Sequence, residues 1–545
     1  MSDSTRSAPY AWSVQGGLIE RPGQYPGELE LWCYTDHFAY LPGEEFGVKV
    51  HTTASSYDLE IVRDGLESTT VFRREALPGK AHDTPQDAYA TGCGWPDALT
   101  VTVDPAWTSG FYLIIVRAHD KDGRMVEREG FFIVRSAEPE LADFVLIHAT
   151  STVLAYNDWG GANHYRGLPD DNGGFDSPTP ISSSRRPIAR GMLRKPVGAP
   201  RSPHNDNPPA HWIPRYPSYE WAWHNGYSRH HAEAGWATYE RPFTVWAERE
   251  GYRVAHLSQT DLHEDPQALS GYRCAVVVGH DEYWTWEMRD RVDEFVESGG
   301  KLARFAGNYN WQVRLDADNT QTCYKVPQLD PMLEIDPSRT TTAWDWIPIG
   351  RPGAKTMGLT GLAGIYNRYG ATTPRSSGGF TVYRPHHWAL ADSDLYYGDT
   401  FGGIPVGVAS FEMDGVDYTF RKGLPYPTGA DGAPDNLEII AMAPCVHYAH
   451  DVWNGTVPIG SPFEDTHGIL QAMYEEPPEH LRDAEYGAGM VASFTKGEGE
   501  VFNAGSCEWV NGLAEREWFT ERITRTVLDR FSGRRPQPDP AASQT

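Results

Sequence analysis

Three continuous apolar runs constrain this chain more than any other feature. "FVLIHAT" (144–150), "YRCAVVVG" (272–279) and "KLARFA" (301–306) lack the in-and-out alternation of a half-exposed strand. A strand covered on both faces reads this way. Helical patterns separate the runs. "YERPFTVWAEREGYRVAHLS" (239–258) reads as a helix stopping at Gly251, then a further strand. "WTWEMRDRVDEFVESGG" (284–300) places Met288, Val292, Phe295 and Val296 on one helix face and stops at Gly299-Gly300. This β-α-β-α-β alternation predicts a parallel, doubly wound sheet.

The grammar is different upstream. From Leu29 to about Arg135, short stretches alternate apolar and polar residues and break at Pro-Gly and Asp-Gly, with a hairpin turn at Asp122-Gly123. That pattern predicts an antiparallel β-sandwich. The fold class is therefore α/β plus β. An arm at 1–24 precedes the sandwich at 25–137, the linker "SAEPEL" (136–141) follows, and an α/β catalytic domain spans 142–531. Residues 315–430 read as a β-rich insertion in it, 490–509 as a hairpin, roughly 513–531 as a closing helix, and 532–545 as a disordered tail. The interval 160–235, rich in Pro, Ser, Arg, His and Trp, is long enough to be a lid or binding loop.

A net charge of −27 disfavours binding to nucleic acid or to anionic membranes, because both need clustered Lys and Arg. Six cysteines in 545 residues, none in a C-x-x-C pair, make no disulfide framework. No signal-peptide core and no long apolar span is visible, so a reduced, cytoplasmic protein is expected.

Ligands of open α/β sheets sit outside the carboxyl ends of the strands. Three polar clusters fall at such ends: Tyr156-Asn157-Asp158, His280-Asp281-Glu282 and Asn308-Tyr309-Asn310. Parallel strands would bring them together. After Gly279, His280 and Glu282 point the same way. Imidazole with carboxylate suits metal ligation or acid–base work. The structural alternative is that they cap the helix at 284–297. Cys274 lies inside a strand and reads as core, and no G-x-S-x-G elbow exists, so a metal-assisted or general-base mechanism is favoured over a nucleophilic one. Glu412 reads equally as a strand residue or a cleft group. Glu508 reads at least as well as a cap, and His231 and Glu233 as a solvated face. The neighbours His386 and His387 point to opposite faces and are poor co-ligands.

"TVLAYNDWGG", "SSRRPIARGML", "WAEREGYRV", "VVVGHDEYWTWEMRD", "FAGNYNWQVR" and "VFNAGSCEWVNGL", in this order, resemble the large subunit of N,N-dimethylformamidase and its relatives. The likeness covers roughly residues 142–531. It implies a glutamine-amidotransferase-like α/β core without the cysteine nucleophile. It also implies a mononuclear non-haem iron (Fe3+) held by two tyrosinates and a glutamate. On this sequence the glutamate falls on Glu282, the neighbouring histidine on His280, the pocket asparagine on Asn308 and one tyrosinate on Tyr156. The second tyrosinate falls on Tyr219, with Tyr165 and Tyr216 as alternatives. A further catalytic glutamate falls on Glu412, ahead of Glu438 and Glu508. The implied activity is hydrolysis of the C–N bond of a small or N-alkylated linear amide. A small accessory subunit is implied, and a homo-oligomer is left open. Two rival readings stand beside this one: a non-catalytic carbohydrate- or protein-binding member, and a metal-independent hydrolase using Asp281 and Glu508.

Overall fold

The structure, a computed structural model, describes residues 20–24, 26–165, 167, 179–200, 217–367, 378–446 and 486–534. Alternating residues close the first core. A three-stranded sheet (Leu31–Thr35, Glu45–Thr52, Asp97–Thr102) packs on a five-stranded one ordered Ala39–Tyr40, Met125–Val134, Gly110–His119, Ser56–Asp64, Thr69–Pro78. Leu31, Cys33, Val48 and Val50 meet Leu59, Ile61, Ile114, Val116 and Phe132 between them. All pairings are antiparallel except Ala39–Tyr40 against Ile133–Val134, which run parallel. The hairpin turns at Asp122-Gly123 as expected, with Gly123 at φ +78°.

The opposite face of the five-stranded sheet is also apolar. Phe111, Leu113, Ile115 and Phe131 join the core of the second half, where Phe111 stacks on Trp236 with centroids 4.2 Å apart. Asp64 pins the contact by accepting from Trp236 Nε1 (2.8 Å) and Arg241 Nε (2.8 Å).

The three apolar runs are central strands of one mixed sheet. Its parallel half is ordered Val254–Ser258, Phe144–His148, Cys274–His280, Lys301–Gly307, Gly499–Asn503. Numbered along the chain, this order is 2-1-3-4-5. Successive connections leave the Phe144–His148 and Cys274–His280 strands in opposite directions, and that reversal opens a crevice at their carboxyl ends. Tyr486–Lys496, Glu438–Val446, Thr360–Asn367 and Met413–Gly415 extend the sheet in antiparallel fashion. The 315–430 region, expected as an insertion, thus supplies four strands to the main sheet, the other two being Phe380–Val382 against Glu438–Val446 and Thr400–Phe401 against Phe380–Val382.

The helices form where the periodicity predicts them, with shifted ends. Arg241–Arg249 follows a π-turn at Trp236–Glu240, and Trp286–Glu297 buries Met288, Val292 and Val296. Thr285 caps the latter through its Oγ, so His280 and Glu282 do not. The single closing helix expected at 513–531 is two, Trp509–Ala514 and Trp518–Ser532. Arg516 at φ +60° breaks the run, and Glu517 restarts it by accepting from Thr520 N. Among the described residues, no helix is long and apolar enough to cross a membrane.

Candidate active site at the reversal of strand order

The site begins with a glycine. Gly279 sits at φ +77°, and a Cβ there would fall 2.2 Å from the Tyr239 side chain. Only glycine allows the strand to pass so close to that ring. Beyond it the side chains part. Asp281 turns toward Arg304, which grips both its oxygens and also donates to Asp414 (2.6 Å); all three side chains are fully buried. With both oxygens taken, Asp281 cannot serve as a hydrolytic carboxylate beside Glu508, which accepts from Tyr239 Oη at 3.4 Å. That pairing fails as a catalytic one.

His280 and Glu282 turn to the crevice. Tyr156, ending the Thr150–Tyr156 helix, donates to Glu282 Oε2 at 2.9 Å, and Tyr165 donates to both carboxylate oxygens at 2.8 Å. The two phenol oxygens are 3.0 Å apart and their rings are stacked. Trp311 Nε1 donates to Glu282 Oε1 at 2.6 Å, and Tyr283 Oη to Tyr165 Oη at 2.6 Å. Lys325 Nζ lies 3.2 Å from the Tyr165 ring centroid. Burial works to raise the Glu282 carboxyl, but the hydrogen bond and charge of His280, then Lys325, carry it below its ordinary range. Burial, then the Glu282 charge, pushes the Tyr156 and Tyr165 phenols well above theirs.

His280 Nδ1 bonds the Glu233 carbonyl oxygen (2.7 Å), which directs Nε2 into the pocket. There it lies 2.9 Å from Glu412 Oε2, 3.4 Å from Glu282 Oε2 and 3.4 Å from Asn308 Nδ2. Burial opposes charge on this ring, yet Glu412 and Glu282 together raise it well above the usual imidazole range. Burial pushes Glu412 up to about 7 against the pull of His280. Asn308 (φ +60°) and Glu412 (φ +48°) both adopt the left-handed conformation that costs a non-glycine residue of order 1 kcal/mol or more. Tight backbone contact enforces it: a Cβ on Gly307 would meet Glu412 O at 2.1 Å and Cys507 N at 2.6 Å.

Tyr156, Glu282, His280, Asn308 and Glu412 thus converge, and Tyr165 joins them. Tyr219 falls in the Pro217–Asn225 helix with its side chain outside the described residues, and Tyr216 lies outside them altogether. Glu438 points away, its side chain 57% exposed and 3.7 Å from His387. His231 and Glu233, read as a solvated face, are buried; the Glu233 carboxylate binds His230, whose ring packs on Tyr156 and Tyr165. Sequence reasoning missed Trp311, Lys325 and Cys507 and misplaced Glu233 on a solvated face. The His230…Glu233 spacing is a local signal for a paired turn, whereas the other three are brought in only by long-range packing.

The family model described as "N,N-dimethylformamidase beta subunit-like, C-terminal" matches residues 59–522. The chain belongs to that family. The match begins inside the sandwich, well upstream of the motifs that carry the resemblance. No curated protein matches the chain. Among solved structures, the sporulation control protein Spo0M from Bacillus subtilis is 16% identical over 21% of this chain and 52% of its own, with a TM-score of 0.16. Murine CRIg is 15% identical over 20% of this chain and 98% of its own, at 0.14. The pectate lyase Pel3 from Pectobacterium carotovorum is 11% identical over 22% and 31%, at 0.12. The chain spans about half the length of the first of these, and likenesses this slight bear on neither fold nor site.

Proposed function

We propose that this member of the N,N-dimethylformamidase beta subunit-like family hydrolyses the C–N bond of a small or N-alkylated linear amide. The 2-1-3-4-5 core is read as its glutamine-amidotransferase-like catalytic domain, behind an N-terminal sandwich. The observation that carries the reading is the grip of Tyr156 and Tyr165 on Glu282, with His280, Asn308 and Glu412 at its edge.

The residues fit a trivalent iron. Two phenols and a carboxylate offer four hard oxygens within 2.8–3.0 Å contacts of one another. Hard oxygen donors suit a hard cation, and three protein residues leave positions open. Tyr156, Tyr165 and Glu282 would hold the ion, the phenols losing their protons as it binds. Bound there, the ion supplies Lewis acidity to an amide carbonyl. Tyr219 is retained as the alternative second tyrosinate.

The protein's own groups handle the rest. Asn308 Nδ2 offers a hydrogen bond to the carbonyl oxygen as it gains charge. The His280–Glu412 pair, with one member poised near neutrality, can take a proton from the attacking water and return it to the departing amine. Tyr283 and Trp311 wall the pocket and hold the ligand residues in place. A small accessory subunit and a cytoplasmic setting complete the proposal.

The test is the visible spectrum and iron content of the purified protein, beside amine release from a panel of amides. Ferric tyrosinate colours a protein. Colour, about one iron per chain and amidase activity, all lost in Glu282→Ala, are the expected results. A folded, colourless, iron-free wild type after growth with ample iron overturns the iron reading. A coloured protein inert toward every amide overturns the activity.

A further inference from the structure

A second set of donors lies beside the oxygen cluster. A ring nitrogen of His280, a Glu412 carboxylate oxygen and Cys507 Sγ all lie within 4.8 Å of one another, and all three residues are buried. Backbone packing assembles them. Met413 and Ser506 form an isolated antiparallel bridge, and Gly307 lies against Glu412 O and Cys507 N. The ends of three strands therefore present an imidazole, a carboxylate and a thiol to one point.

Burial and ring orientation make this point suited to a cation. Glu412 is 93% buried, since its exposure is 7%, and its Oε2 lies 2.9 Å from His280 Nε2, so carboxylate and imidazole share one enclosed point. A buried carboxylate needs a positive partner, and a cation at this point would face the carboxylate, the imidazole and the thiol together. His280 also carries the hallmark of a metal-binding ring: its Nδ1 bonds a backbone carbonyl, that of Glu233 at 2.7 Å, leaving Nε2 directed at the other donors.

We propose that His280, Glu412 and Cys507 form a second cation site, selective for zinc, whose occupancy shuts off proton transfer. Nitrogen, sulfur and a single carboxylate form the donor set that borderline-soft zinc takes in tetrahedral sites, whereas the Tyr156, Tyr165 and Glu282 cluster is all hard oxygen. The two sites thus sort cations by donor type. Binding releases the Cys507 thiol proton, so affinity rises with pH. Zinc at Nε2 and Glu412 removes both partners of the proton relay while leaving the oxygen cluster intact. The inhibitory half of the proposal rests on the function proposed above; the binding half does not.

The test uses the full chain. Iron-free protein is titrated with Co2+ and followed in the near ultraviolet, where a thiolate–cobalt bond absorbs. Zinc content and amidase inhibition are measured on iron-loaded protein. The expected results are a saturable thiolate–cobalt band displaced by one equivalent of zinc, and zinc inhibition. In Cys507→Ser the band vanishes, and both zinc affinity and inhibition weaken by at least ~10-fold, the low end of what losing even an outer-shell partner costs. Glu412→Gln serves as a second variant; it weakens zinc binding but keeps the band. Absence of the band at saturating cobalt, or wild-type zinc affinity in Cys507→Ser, overturns the proposal. If the band appears in a protein that never holds iron, the zinc site stands and the iron reading falls.

Discussion

Asp281 and Glu282 are chain neighbours, both ionisable and both buried, at 0% and 3% exposure. Their surroundings are opposite in kind. Asp281 faces Arg304, a permanent cation that fills both its oxygens and is shared with Asp414. Glu282 faces Tyr156, Tyr165 and His280, whose protons can move, and His280 is shared with Glu412. One residue of sequence separates a charge fixed by structure from a charge held by exchangeable partners. The first arrangement suits joining the ends of strands; the second suits chemistry.

The comparison breaks most visibly at Arg304. Arg304→Met leaves two buried aspartates without their cation and is expected to cost about 3–5 kcal/mol in denaturant unfolding. A loss below about 1 kcal/mol would mean that Asp281 and Asp414 shed their charge easily, and the contrast with Glu282 would disappear.

The opposite signature is expected at His280. His280→Gln should lower kcat/KM by roughly 100-fold or more, the usual worth of a general acid–base group, while unfolding free energy falls by less than in Arg304→Met, because Glu412, already pushed up to about 7, can take a proton when its partner is lost. Activity and stability lost in proportion would make His280 structural like Arg304.

Asp345 sharpens the comparison as a third case, a buried carboxylate with only neutral donors, Thr360 Oγ1 and Gly353 N. Burial raises it from 3.8 to about 6. Between those values the folded protein holds a proton that the unfolded chain lacks. Stability should therefore fall as pH rises from about 4 to 6, by on the order of 2 kcal/mol. Denaturation curves of Asp345→Asn should lose that slope.

The smallest effect separates helix capping from the site. Thr285→Ala removes the cap on Trp286–Glu297 and should cost about 1 kcal/mol with kcat unchanged. A matching loss of kcat would tie the helix terminus to the chemistry.

Much of the framework was legible from pattern. Continuous apolar runs marked strands covered on both faces, and the glycine before His280 marked the exit into the crevice. Tyr156, Glu282, His280, Asn308 and Glu412 were each named from the chain. The role of Asp281 was not, because its partner Arg304 sits inside an apolar run where an arginine gives no local sign of its pairing. Tyr165, named from the chain only as an alternative to Tyr219, was less legible. Tyr165 lies in a stretch without periodicity, and only its 2.8 Å contacts across 117 residues single it out.

The sequence by itself therefore determined the two structural grammars, the strand ends that bear polar residues, and the family. Local periodicity and steric demand decide those, and both are written within a few residues. Only the tertiary structure decided which buried carboxylate meets a guanidinium and which meets phenols, and it set His280, Glu412 and Cys507 around one point. Such choices depend on which strands lie side by side, and strand order is a long-range property that no window of sequence carries.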